Sequence, residues 1–77
     1  MKSRPLTDLQ RWVLVCMNGG WVCHWNGSWN YIQDPSDTDT WNRISGNTLT
    51  SLERRGLITK FPHTITPVGR DAVGEIR

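Results

Sequence analysis

Apolar positions near the start of the chain recur every three and four residues. Leu9, Trp12, Val13 and Cys16 make one stripe, as on an amphipathic helix. Thr7-Asp8-Leu9-Gln10 reads as the helix start, with Thr7 as cap and Gln10 at the third helical position to complete a capping box. Asp8 favours the positive end of the helix dipole, and Asn18-Gly19-Gly20 supplies the stop. A helix over residues 8–17 is expected, its stripe facing the core. From Gly20 to Ile32 the rhythm changes to two, which predicts a β-hairpin around Asn26-Gly27. A two-residue loop would set His24 opposite Trp29. A three-residue loop, with Gly27 left-handed, sets Trp25 opposite Trp29 and Cys23 opposite Tyr31. The latter is preferred, because it gathers Trp21, Cys23, Trp25, Trp29 and Tyr31 on one face.

Residues 33–42 lose all periodicity. Asp34-Pro35-Ser36-Asp37-Thr38-Asp39-Thr40 is polar and acidic, and Pro35 breaks regular structure. A solvated loop is expected, a short helical turn near 36–41 being the alternative, with Trp41 and Ile44 anchored to the core. Ser45 then caps a helix over residues 46–55, which Gly56 ends. Thr48, Leu49 and Leu52 face inward on it, and Asn47, Thr50, Ser51 and Arg54 outward. Leu57–Phe61 reads as a strand, Pro62-His63 as a tight turn and Thr64–Thr66 as the return. Thr66-Pro67 opens a last helix, with Thr66 as cap and Pro67 at its first position. Val68, Ala72, Val73 and Ile76 form its expected buried stripe.

Seventy-seven residues allow one domain, 1–77, with a modest core that buries about 60% of the surface of the unfolded chain. Such a chain has little room for a deep catalytic cleft. A net charge of +2 permits nucleic-acid binding without demanding it. Two cysteines are too few for a disulfide framework, and Cys16 and Cys23 are expected as reduced core residues of a cytoplasmic protein. Met1-Lys2-Ser3-Arg4-Pro5 leads into a polar helix rather than an apolar leader. No apolar run reaches the roughly 20 residues of a membrane span. Most of the five tryptophans, all before residue 42, are expected in the core, with one or two partly exposed. An exposed cluster would instead be a platform for bases or an anchor for a protein partner.

The stretch "ISGNTLTSLERRGLI", followed by "TITPVGRDAV", resembles the recognition helix and wing of bacterial winged helix-turn-helix regulators of the MarR and PadR type. "LTDLQRWVLVCMNGG" is similar to the first helix of small winged-helix proteins of bacteria and phages. The resemblance covers more than half of the chain. It implies an α+β winged-helix domain in the order α-β-β-α-β-β-α, with the Trp-rich hairpin in place of the usual second helix. It also implies a small transcriptional regulator that binds double-stranded DNA. Operators of such domains are read by dimers, and a homodimer would here need a small patch on the first helix or hairpin.

The outward face of the 46–55 helix has the residue types for this work. Arg54 can pair with guanine and Asn47 with adenine, while Thr50 and Ser51 can reach bases or phosphates. Gly46 admits a phosphate to the helix N-terminus, and Arg43, Lys60 and His63 are expected on flanking phosphates. The alternative is a protein-binding module, an adaptor or a phage-encoded inhibitor of a host complex, that uses Trp21, Trp25 and Trp29. Cys16, Cys23, His24 and His63 match no zinc spacing, so no metal or other cofactor is expected. Cys23 or Ser51 with a histidine lacks any nucleophile motif, and Asp37 and Asp39 fall in the expected loop, so no enzyme is expected.

Overall fold

A computed structural model describes residues 5–60 and 62–76, with side chains as far as Gly74 in the last helix. Phe61 as the end of a strand, Ile76 as a buried position and the Met1–Arg4 leader lie outside the residues and side chains so described. Helix α1 spans Asp8–Asn18 and opens on the expected capping box. The Gln10 amide N–H donates to Thr7 Oγ1 at 3.1 Å, and the Thr7 amide N–H donates to Gln10 Oε1 at 3.0 Å. Gly20, at φ +100°, ends the helix while the Trp21 amide returns to the Cys16 carbonyl at 3.0 Å. Next come strands β1 (Val22–Trp25), β2 (Asn30–Asp34) and β3 (Asp37–Ile44), an antiparallel sheet in the order β1-β2-β3. Helices α2 (Gly46–Arg54) and α3 (Pro67–Ile76) complete the chain.

The core draws on every element. Val13, Leu14 and Met17 come from α1, Cys23, Ile32 and Ile44 from one face of the sheet, Leu49 and Leu52 from α2, and Val73 from α3. Leu57 and Ile58 fill the space after α2. Ser45 caps α2 by accepting from the amides of Asn47 and Thr48, and Gly56, at φ +74°, ends it. The Leu57 amide then reaches back to the Leu52 carbonyl at 3.0 Å, closing the helix end. Thr66 caps α3, accepting from the Gly69 amide and donating to the Gly56 carbonyl, so one hydroxyl ties the end of α2 to the start of α3. Gly69 is buried there. A Cβ at this position would overlap the Leu57 carbonyl oxygen and lie 2.8 Å from Ile65 Cγ1.

Four features depart from the sequence reading. First, the acidic connector is a strand. Pro35-Ser36 make a tight turn in which Asp34 Oδ1 accepts from the Ser36 amide and hydroxyl, and β3 then pairs with β2 at Asp37 and from Trp41 to Ile44, the register shifting between Gln33 and Asp34. Pairing with β2 overrides the low strand propensity of this stretch.

Second, the hairpin loop has four residues, Asn26–Trp29, and sets Cys23 opposite Ile32 and His24 opposite Tyr31. Asn26 Oδ1 accepts from the amides of both Ser28 and Trp29 at 2.9 Å, which fixes the longer loop. The aromatic residues are therefore divided between the faces instead of gathered on one.

Third, the α1 stripe is turned about its axis. Gln10, Val13, Leu14 and Met17 are buried, Trp12 and Cys16 are half-buried, and Leu9 is 46% exposed. The helix is apolar around much of its circumference, so spacing alone leaves its facing open. Val68 on α3 is likewise exposed rather than part of the buried stripe.

Fourth, the second hairpin is reduced to one bridge, Ile58 with Ile65, flanked by bonds from the Thr59 amide to the Thr64 carbonyl and from the Thr66 amide to the Leu57 carbonyl. The observed order is thus α1-β1-β2-β3-α2-α3, an α+β arrangement with three helices and one three-stranded sheet among the described residues.

Candidate binding surfaces

Helix α2 is fixed at both ends and on its inner side, so its outward residues stand on a rigid base. Gly46, Asn47, Thr50 and Arg54 are exposed at three- and four-residue spacing and form one stripe. Leu49 and Leu52 beneath them are buried and Thr48 is half-buried, as the sequence reading has it.

The other expected DNA-contacting residues are placed differently. Ser51 is half-buried, and its Oγ accepts from Gln10 Nε2 at 2.9 Å, so it joins α2 to α1 rather than facing outward. The Ser45 hydroxyl already occupies two amides of the first turn, which leaves fewer N–H groups for a phosphate than expected. His63 is half-buried, with Nδ1 3.0 Å from the Thr59 carbonyl and 4.0 Å from Glu53 Oε2, against the flank of α2. Lys60 is exposed on the loop that follows the bridge residue Ile58. Arg43 is exposed on β3, its guanidinium 5.0 Å from the ring centre of Trp29.

A second surface, the outer face of the sheet, was not read from the sequence. In β3, Ile44 points to the core, so Arg43 points away from it. Trp41, expected as a core anchor, is instead 48% exposed and touches Tyr31 edge to face at 5.8 Å. His24 stacks on the other side of Tyr31 at 5.1 Å. Trp29, Tyr31 and Trp41, with Asn26, Gln33 and Thr38, line a shallow recess of about 250 Å³. The Trp29 indole N–H is buried without an acceptor among the described residues. The alternation of Trp41 and Arg43 against Ile44 would have revealed this face, had residues 37–44 been read as a strand.

Of the tryptophans expected at a protein interface, Trp25 is 52% exposed beside the hairpin loop. Trp21 is half-buried, packed against the core and in edge-to-face contact with Trp12 at 5.8 Å, which removes it from a protruding anchor set.

The thiols do not lend themselves to nucleophilic chemistry. Burial raises the pKa of Cys23 and of Cys16, and the Asp34 charge raises that of Cys16 further, so both stay protonated at neutral pH. Cys23 faces the core while its neighbour His24 lies on the opposite side of the strand, so the pair forms no Cys–His arrangement. No three His, Cys, Asp or Glu side chains come together as metal ligands among the described residues.

Against known families, curated proteins and solved structures, the chain finds no match.

Proposed function

We propose that the chain is a winged-helix-like DNA-binding domain of a small transcriptional regulator of bacterial or phage origin, without catalytic activity, in which α2 reads duplex DNA. The observation that carries this reading is the exposed stripe Gly46, Asn47, Thr50 and Arg54 on a helix capped at one end by Ser45 and closed at the other by Gly56. A rigid helix with a polar outer face is the element that enters a major groove, and Arg and Asn are the side chains that pair bidentately with guanine and adenine. The resemblance of "ISGNTLTSLERRGLI" to recognition helices supports it. The acidic Asp34–Asp39 turn lies at the end of β3 opposite α2, a strand of eight residues away, which keeps its charge off the helix N-terminus.

Anisotropy of labelled duplex DNA against salt tests the reading. Binding should fall linearly in log–log form, with a slope of about −0.9 per phosphate contacted. Arg54→Ala should cost about 1–3 kcal/mol of affinity at an unchanged fold. Unaltered affinity in that variant would remove α2 from the interface.

A second reading, a module that binds a protein partner, is favoured by one observation. Trp25 and Trp41 are each about half exposed on a chain this small, and aromatic residues of this kind anchor interfaces. Loss of partner binding on Trp41→Ala with DNA affinity intact would support it.

A further inference from the structure

Register gathers rings on the side of the sheet that faces away from the core. Cys23, Ile32 and Ile44 point inward, so the positions beside them point outward. His24 pairs with Tyr31, Tyr31 with Arg43 and Gln33 with Trp41, and cross-strand partners share a face. One aromatic row therefore crosses all three strands, from His24 on β1 through Tyr31 on β2 to Trp41 on β3. His24 lies within 28° of parallel to Tyr31, whereas Trp41 meets Tyr31 at 69°, so the last two rings form a corner instead of closing on each other. The recess at this corner, about 250 Å³, is smaller than the roughly 300–1,000 Å³ of a small-molecule pocket. It suits one flat group, such as a single base.

Charge decides what the corner accepts. Among the described residues, no acidic side chain lines the recess. Asp37 and Asp39 flank Thr38 in the chain, but neither is part of the lining. Asp34, the cross-strand partner of Asp37, lies toward Cys16 of α1, whose thiol its charge affects. The charged group on this face is Arg43. Its guanidinium is held 5.0 Å over the ring of Trp29 and makes no hydrogen bond or ion pair among the described residues. Contact with a ring occupies the flat side of a guanidinium and leaves its N–H edge to donate. A cationic ligand would meet this like charge, and an acidic peptide would leave the ring row unused. An unpaired nucleic-acid strand uses both, its bases stacking on the rings and its phosphates meeting the cation.

We propose that the outer face of the sheet binds single-stranded nucleic acid, with one base seated in the corner of Tyr31 and Trp41 and an adjoining phosphate against the guanidinium of Arg43. A duplex does not fit this site, because paired bases are stacked on one another and keep their faces from the rings. The site goes beyond the duplex reading and shares none of the α2 stripe. It moves Arg43 from the flank of a duplex to the backbone of an unpaired strand.

The test is a titration of isotope-labelled protein with an oligothymidylate, following indole N–H resonances, with an abasic strand of equal length and a hexa-arginine peptide in parallel. Saturable shifts of the Trp29 and Trp41 indoles are expected with oligothymidylate, with weaker binding of the abasic strand and none of hexa-arginine. Trp41→Leu, which keeps apolar bulk but removes the ring, should lower affinity about 5- to 150-fold, and Trp41→Phe should restore most of it. Arg43→Gln should reduce the steepness of the log–log salt dependence by about 0.7, the share of one phosphate on a single strand. Asp39→Asn should leave binding equal or tighter. Arg54→Ala should leave oligothymidylate binding unchanged, so failure here and failure of the duplex reading are told apart. Absence of saturable shifts, equal affinity of the abasic strand or of Trp41→Leu, weaker binding in Asp39→Asn, loss in Arg54→Ala, or tighter binding of hexa-arginine at the same resonances would overturn the proposal.

Discussion

The outward stripe of α2 and the outer face of the sheet both meet solvent, yet their chemistry differs. The stripe is polar and cationic, with Asn47, Thr50 and Arg54 above a buried Leu49–Leu52 row. The sheet face is aromatic, built from Trp29, Tyr31 and Trp41, with the Arg43 guanidinium over Trp29. The stripe depends on local capping, since Ser45 and Gly56 define the helix and hence which residues face out. The sheet face depends on register, because a shift of one residue would turn its rings to the other side. A helix face of this kind tolerates exchange of its outer residues, whereas the sheet face is set by residues far apart in the chain.

Substitutions can break this comparison, and the largest effect is expected beneath the stripe. Leu52→Ala empties a fully buried position and should destabilise by about 2–5 kcal/mol in denaturant unfolding. A transition matching wild type would mean that α2 is turned the other way.

Gly69→Ala is next. A Cβ would overlap the Leu57 carbonyl at the junction of α2 with α3, and about 1–3 kcal/mol should be lost by the same measurement, although alanine ordinarily stabilises a helix.

Gln10→Ala removes one half of the capping box and the bond to Ser51, and should cost about 1–2 kcal/mol. Ser51→Ala in the Gln10→Ala background should then add little, a coupling that a double-mutant cycle measures.

The smallest effect belongs to the acidic turn. The folded-state pKa of Asp34 is lowered, first by the Ser36 hydroxyl and then by its amide. Its contribution is therefore present above the unfolded-state value, near 3.8, and is lost as pH falls through the lower folded-state value. Asp34→Ala should lower stability slightly across the neutral region and shallow the acid limb below about pH 4, so that variant and wild type converge at low pH in unfolding curves taken across pH.

The parts of the fold that local chemistry specifies were legible in the sequence. Thr7 with Gln10, Ser45, Gly56 and Thr66 with Pro67 mark helix ends that occur where their side chains and φ angles require them. The inward row of α2 could be read too, because its two leucines are set against hydroxyl and charged neighbours.

What was not legible depends on partners distant in the chain. Strand β3 has Asp, Thr and Asn at most positions, and only pairing with β2 makes it a strand. The facing of α1 is settled by Gln10, a polar residue buried because it bonds to both Thr7 and Ser51. The same limits apply to the candidate sites. The stripe was found from residue types on a recognised helix, although Ser51 and His63 proved to be engaged inside the fold. The aromatic recess was missed, because Trp41 reads as a core residue until its strand is known.

The most direct measurement is duplex-DNA anisotropy on three proteins side by side: wild type, Arg54→Ala and Trp41→Leu. Expected is salt-sensitive binding by wild type and Trp41→Leu alike, with a loss confined to Arg54→Ala. Equal binding by wild type and Arg54→Ala, or a loss confined to Trp41→Leu, would contradict the assignment of duplex recognition to α2.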